Sequence, residues 1–241
     1  MQRTLVVALL AAVRFASAQD QPAPPPRVGP GSSPLVILLG TDVTWTPTTG
    51  DFRNYLAGGW GLGAHVVQGL TSNMVLAIRG AFRVTDNGSR TVRYPVARPG
   101  TNPVLVATTT QNNVTSGSLG VQFTAPTGRV RPYLFGAAGF AFFHTTSELT
   151  NADSASRLAK RDFRDGGFGT EVGGGLLIAL RGGTVPVILD VGVHSERSDN
   201  INLYTEKSVT YTGPAYPPAI TTIQTAINAV AYRVGLSLGF R

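Results

Sequence analysis

Apolar residues recur at every second position in one segment after another of this 241-residue chain. The clearest case is its end, where Tyr232, Val234, Leu236, Leu238 and Phe240 alternate with Arg233, Gly235, Ser237 and Gly239. One face is apolar; the other is small or charged. The same split runs through 74–84, where Leu76, Ile78, Phe82 and Val84 oppose Ala77, Arg79, Ala81 and Arg83. It returns in 116–125, with Leu119, Val121 and Phe123 against Ser118, Gly120, Gln122 and Thr124. A period of two puts successive side chains on opposite faces of an extended strand. The pattern predicts eight strands, at 36–45, 57–68, 74–84, 116–125, 132–143, 168–180, 185–195 and 230–240. Each is long enough to cross a bilayer when tilted, which takes about 9 to 11 residues.

The connections between these strands hold 11, 5, 31, 6, 24, 4 and 34 residues, long and short in strict alternation. In an antiparallel meander successive connections lie at opposite ends, so the short turns gather at one end and the long loops at the other. The prediction is an all-β fold: an eight-stranded antiparallel up-and-down transmembrane β-barrel over residues 35–241. The long loops, 85–115, 144–167 and 196–229, are expected to lack a continuous ladder, with one short helix in the basic stretch Asp153–Arg164. The last loop, carrying Tyr204, Tyr211 and Tyr216, is the expected adhesive surface.

Composition supports this reading. Only 14% of the residues are charged, Gly numbers 29, and Glu and Lys, common on solvated helices, number four and two. A helical protein is excluded on these grounds. With no cysteine there is no disulfide, thiolate metal site or cysteine nucleophile. Arg3, the apolar run Leu5–Val13 and Ala16-Ser17-Ala18 form the pattern of a signal peptide over residues 1–18, cleaved before Gln19. Residues 19–34 contain six prolines and predict an extended periplasmic tether. The formal charge of +7 is mild and its arginines are dispersed, so no nucleic-acid partner is expected. A soluble lipocalin-like carrier is the rival barrel, but it requires an apolar lumen and a charged exterior.

Counted from the short-turn ends, Asp42, Arg79, Arg83, Glu171, Asp190 and Arg233 fall on the inward face, three charges of each sign. They are expected to form a structural lumen charge network, with Arg233 beside Asp42 on the first strand and Asp190 on the preceding one. A narrow pore gated by Arg233 is the alternative. His194-Ser195-Glu196 is the cluster closest to a hydrolase set, yet a strand sends Ser195 to the face opposite His194 and Glu196. Metal binding by His194 and Glu196 lacks a third ligand that the sequence can name. No catalytic, metal-binding or cofactor-binding residue is expected, and an outer-membrane lipid A-modifying enzyme stands only as an alternative.

The chain ends in Arg233-x-Gly235-x-x-Leu238-x-Phe240, a polar-x-Gly-x-x-apolar-x-aromatic pattern, and carries GWGLGAHV in the second strand and RVRPYLFGAAGF at the fifth. In these it resembles the outer-membrane β-barrel domain family, the eight-stranded barrels like outer-membrane proteins A and X. The resemblance covers about residues 35 to 240. It implies a monomer in the outer membrane of a Gram-negative cell, with a structural or surface-interaction role through long extracellular loops. It further implies that Arg233, Gly235, Leu238 and Phe240 form the assembly signal read by the barrel-assembly machinery, that outer-membrane lipids and lipopolysaccharide are partners, and that there is no cofactor.

Overall fold

A strand with one apolar and one polar face needs lipid or a core on one side and polar company on the other. Closing the sheet on itself meets both demands and leaves no unpaired edge. The computed structural model describes residues 37–47, 58–71, 73–96, 104–151, 156–183, 185–203, 209–210, 219–220 and 223–240. The expected signal peptide and tether lie outside these residues, and so do Tyr204, Tyr211 and Tyr216 of the expected adhesive loop.

The strands are β1 (Ile37–Thr46), β2 (Gly59–Gly69), β3 (Leu76–Val96), β4 (Val104–Thr124), β5 (Val130–Asn151), β6 (Arg157–Arg181) and β7 (Val187–Leu203), then the short β8 (Val209–Thr210) and β9 (Ala219–Ile220), then β10 (Ile223–Phe240). β8 and β9 form a separate two-stranded sheet among the described residues. The other eight close into an antiparallel barrel in the order β1-β10-β7-β6-β5-β4-β3-β2. First and last strands form the seam, in register from Ile37 opposite Phe240 to Trp45 opposite Tyr232.

Leu39, Val43, Leu62, Val66, Ile78, Phe82, Leu119, Leu134, Val172, Val234 and Leu236 face outward and are exposed. This apolar belt is the reverse of a soluble carrier's surface. Trp45 stacks on Tyr232 with ring centroids 5.5 Å apart and meets Trp60 at 6.4 Å, an aromatic patch on three adjacent strands of the kind that marks a membrane interface.

The expected strand ends require correction on the long-connection side. β3 and β4 each run 21 residues, β5 runs 22 and β6 runs 25. Most of the expected loop 85–115 is ladder, with Thr85 opposite Val114 and Val96 opposite Val104, interrupted by a bulge between Asp86 and Ser89. Part of the stretch expected to be a short helix is likewise strand: Leu149 faces Ala159, Glu148 faces Lys160, and Arg157 Nε donates to Glu148 Oε1 at 2.7 Å.

Period-two hydrophobicity fades there because neither face meets lipid. Threonine, which favours the extended backbone, carries the pairing instead. Thr91 and Thr109 hydroxyls lie 2.9 Å apart, and Thr146 donates to Asp162 at 2.8 Å. At the outer end of β6, Asp165 accepts from the Asn202 backbone N–H at 2.7 Å. That bond, with one from Gly166 N–H, holds its carboxyl below the usual carboxylate range.

The lumen is filled in layers. At the short-turn end Leu38, Val67, Met74, Ala77, Phe135, Leu177 and Ile188 form an apolar floor beneath Tyr133. Met74 reaches it from the β2–β3 turn, holding a left-handed φ of 54°. Toward the other end Phe143, Ile201 and Ala229 pack with Val114 and Ala141 as a second apolar layer. The charged side chains lie between the two.

Backbone amides of 106–110, paired on both sides, and the alternate amides of 90–96 that face β4 should therefore exchange slowly in hydrogen-exchange mass spectrometry of the detergent-folded protein. Exchange as fast as in an unstructured peptide would refute the extended ladder.

Candidate functional site

The lumen wall has a small side and a large side. Ser116, Ser118, Gly120, Ala137, Gly139, Gly169 and Gly173 line it on β4, β5 and β6, and leave room for long polar side chains from the other strands. The six expected network residues, Asp42, Arg79, Arg83, Glu171, Asp190 and Arg233, are all buried on the inward face. They separate into two groups.

In the group nearer the floor, Arg233 Nη2 donates to Asp190 Oδ2 at 3.0 Å and to the Tyr133 hydroxyl, and Tyr133 in turn donates to Asp190 Oδ1 at 2.7 Å. Arg233 stands opposite Thr44, two residues from Asp42, and its guanidinium turns to Asp190. The expected partner Asp42 is held instead by Thr44 at 3.0 Å and His65 at 3.1 Å. Gly63 and Gly235 are its direct cross-strand neighbours. A β-carbon at Gly235 would come within 2.7 Å of the Asp42 Cβ, which accounts for glycine there independently of any assembly signal. Arg79 donates to Gln122 at 3.0 Å and lies over the Phe135 ring, 4.9 Å from its centroid; its Nε and Nη2 have no hydrogen-bond partner among the described residues.

In the outer group Glu171 and Glu196 are directly opposite each other on β6 and β7. Two like charges in register repel. Arg83 reaches across from β3 to join them, donating through Nη1 to Glu196 and through Nη2 to Glu171 Oε1 at 3.4 Å. His194 Nε2 lies 3.0 Å from Glu196 Oε1 and 3.4 Å from Glu171 Oε1, and Ser118 donates to the other Glu171 oxygen at 3.1 Å. Glu196 makes four carboxylates to three guanidiniums across the two groups, so the expected neutral set becomes one with an excess negative charge when both histidines are neutral.

Tyr133, His65, His194 and Glu196 join the site without belonging to the network that the sequence predicts, which holds His194 and Glu196 only as a catalytic or metal pair. Parity holds the signal for His65, which shares a face with Gly61, Gly63 and Val67 while Leu62, Ala64 and Val66 face lipid. Glu196 reads as rim when the strand is expected to end at 195.

Asp42, His65 and Ser237 have the connectivity of a hydrolase triad: His65 Nδ1 faces Asp42 and Nε2 lies 3.1 Å from Ser237 Oγ. The resemblance is one of connectivity alone. Ser237 is completely buried, and a methyl group placed on Gly40, which separates it from His65, would overlap both side chains. No acyl group fits at Oγ. Ser195 faces outward, away from His194 and Glu196.

Two substitutions test this packing by denaturant unfolding in detergent. Arg233→Ala strands the Asp190 carboxylate and should cost about 3 to 5 kcal/mol, less where lumenal water reaches it. Gly40→Ala should part His65 from Ser237 and cost about 1 to 3 kcal/mol. Parental stability in either would show that these contacts contribute nothing.

No family profile matches the sequence, and no curated protein matches it. Solved structures do. Neisserial surface protein A matches over 85% of this chain and 97% of its own, at 13% identity and a TM-score of 0.50. Ail, the attachment invasion locus protein of Yersinia pestis, solved with the heparin analogue sucrose octasulfate, matches over 87% and 100% at 12% identity and a TM-score of 0.42. A major outer membrane protein from Thermus thermophilus matches over 85% and 99% at 10% identity and a TM-score of 0.42. The closed ladder, the lipid-facing belt and the match to Neisserial surface protein A agree: the chain has the fold of the eight-stranded outer-membrane β-barrels.

Proposed function

We propose that this outer-membrane barrel works through its extracellular β-wall as a monomeric structural or surface-interaction protein, with a closed lumen that neither conducts nor catalyses. The observation that carries the reading is the pair of apolar layers enclosing a side-chain-filled charged centre. A barrel of eight strands is just wide enough for side chains to fill, and here they do. Among the described residues, the parts of β3 to β7 and β10 that pass the lipid belt remain free to meet other molecules.

Lipopolysaccharide is the proposed lipid partner. Lys160, Arg161 and Arg164 are exposed on the outer half of β6, above Phe142 and Phe168, at the height where anionic headgroups begin. Each basic residue near an anionic surface contributes about 1 kcal/mol. Replacing all three by Gln should weaken binding to immobilised lipopolysaccharide by about tenfold or more with the unfolding temperature unchanged. The parent should give no current steps in planar bilayers; steady unitary conductance would overturn the closed-lumen reading.

The assembly machinery is the second proposed partner. Arg233 and Gly235 face the lumen, where packing explains them, whereas Leu238 and Phe240 face lipid and are accessible from outside. Phe240→Ala is expected to refold from denaturant in detergent yet to lower the heat-modifiable fraction recovered from cells. Assembly equal to the parent would make the match to the signal accidental.

A further inference from the structure

We infer that Glu171, His194 and Glu196 form a binding site for a divalent transition-metal cation of the zinc type, for which the Arg83 guanidinium competes. The donor atoms already stand at coordination spacing. A tetrahedral zinc with bonds of about 2.0 to 2.1 Å separates its ligands by about 3.4 Å. His194 Nε2 lies 3.0 Å from one carboxylate oxygen and 3.4 Å from the other, and all three donors fall within 4.8 Å of one another. An imidazole nitrogen with two carboxylates suits zinc and its neighbours rather than calcium or magnesium, which take oxygen ligands.

Charge points the same way. Glu171 and Glu196 share one guanidinium, so one negative charge is left over beside a buried imidazole. The His194 Nε2 is aimed between the two carboxylates, and Nδ1 has no hydrogen-bond partner among the described residues. Ser118 fixes the far oxygen of Glu171, the kind of outer contact that orients a metal-binding carboxylate. Beside the cluster lies a cavity of about 40 Å³ lined by Ser116, Ser118, Gly139, Ala141 and Ser198. It has room for the water a tetrahedral ion needs as its fourth ligand. Sequence spacing reveals only His194 and Glu196; barrel register supplies Glu171 as the third donor.

Calorimetric titration of the folded full-length barrel in detergent with zinc chloride, against magnesium chloride as control, tests the site. Zinc should bind at a single site and raise the unfolding temperature, and magnesium should do neither. His194→Asn and Glu171→Gln should each weaken zinc by at least about tenfold. Arg83→Met removes the competitor and should tighten it. Should the variants fail to fold, anomalous diffraction from zinc-soaked crystals of the unaltered protein decides, with a peak expected among the three side chains. No zinc bound by the parent, binding undiminished in His194→Asn, weaker binding in Arg83→Met, or an anomalous peak elsewhere alone would overturn the site.

Discussion

In a hydrocarbon layer an unpaired backbone N–H or C=O has no water to turn to, and the rest of this structure depends on that constraint. Pairing β1 with β10 over nine residues removes the last open edge of the sheet. Once the edge is gone, each strand has an outside and an inside, and the alternation along the chain follows. Glycine is tolerated in these strands because the ladder, rather than side-chain packing, maintains them. That tolerance clears the space into which the arginines and histidines extend.

The crowded interior then sets its own terms. Charges taken from water need partners with good geometry. Arg233 finds a carboxylate and a phenol, Arg83 finds two carboxylates, and Arg79 finds an amide and an aromatic face. These differ in charge balance. The group on the apolar floor matches Asp42 and Asp190 with Arg79 and Arg233, whereas the Glu171–Glu196 pair shares one guanidinium and carries excess charge beside a cavity. The part nearer the short turns is closed by matched charges, and the excess charge lies in the part nearer the long outer strands.

Much of this is legible in the sequence, and the departures share a cause. Strand number, topology and the inward face of all six network residues follow from a period of two, because lipid on one side and a polar lumen on the other enforce it. The outer halves of β3 to β6 escape that pattern because Thr85–Arg93 and Thr108–Thr115 lie beyond the lipid, where the contrast between faces disappears. Pairing across strands is legible only to within a residue or two. This explains why the sequence points Arg233 toward Asp42 and does not show Glu171 facing Glu196. Register depends on turn geometry and bulges, such as the one between Asp86 and Ser89, that leave little trace in hydrophobicity.

The length of β6 has a mechanical consequence. Of its 25 residues, about 9 to 11 suffice to cross the bilayer. At about 3.3 Å per residue and the usual tilt, the eleven residues that precede the lipid-facing Phe168 rise on the order of 25 to 30 Å clear of the lipid. Flexible loops of the same composition would lose conformational freedom on every encounter with a partner. A hydrogen-bonded palisade has lost it already during folding, so less of the contact energy is spent on ordering. Its threonines and arginines are presented at fixed spacing and fixed height, on a wall that the barrel holds stiffly clear of the membrane.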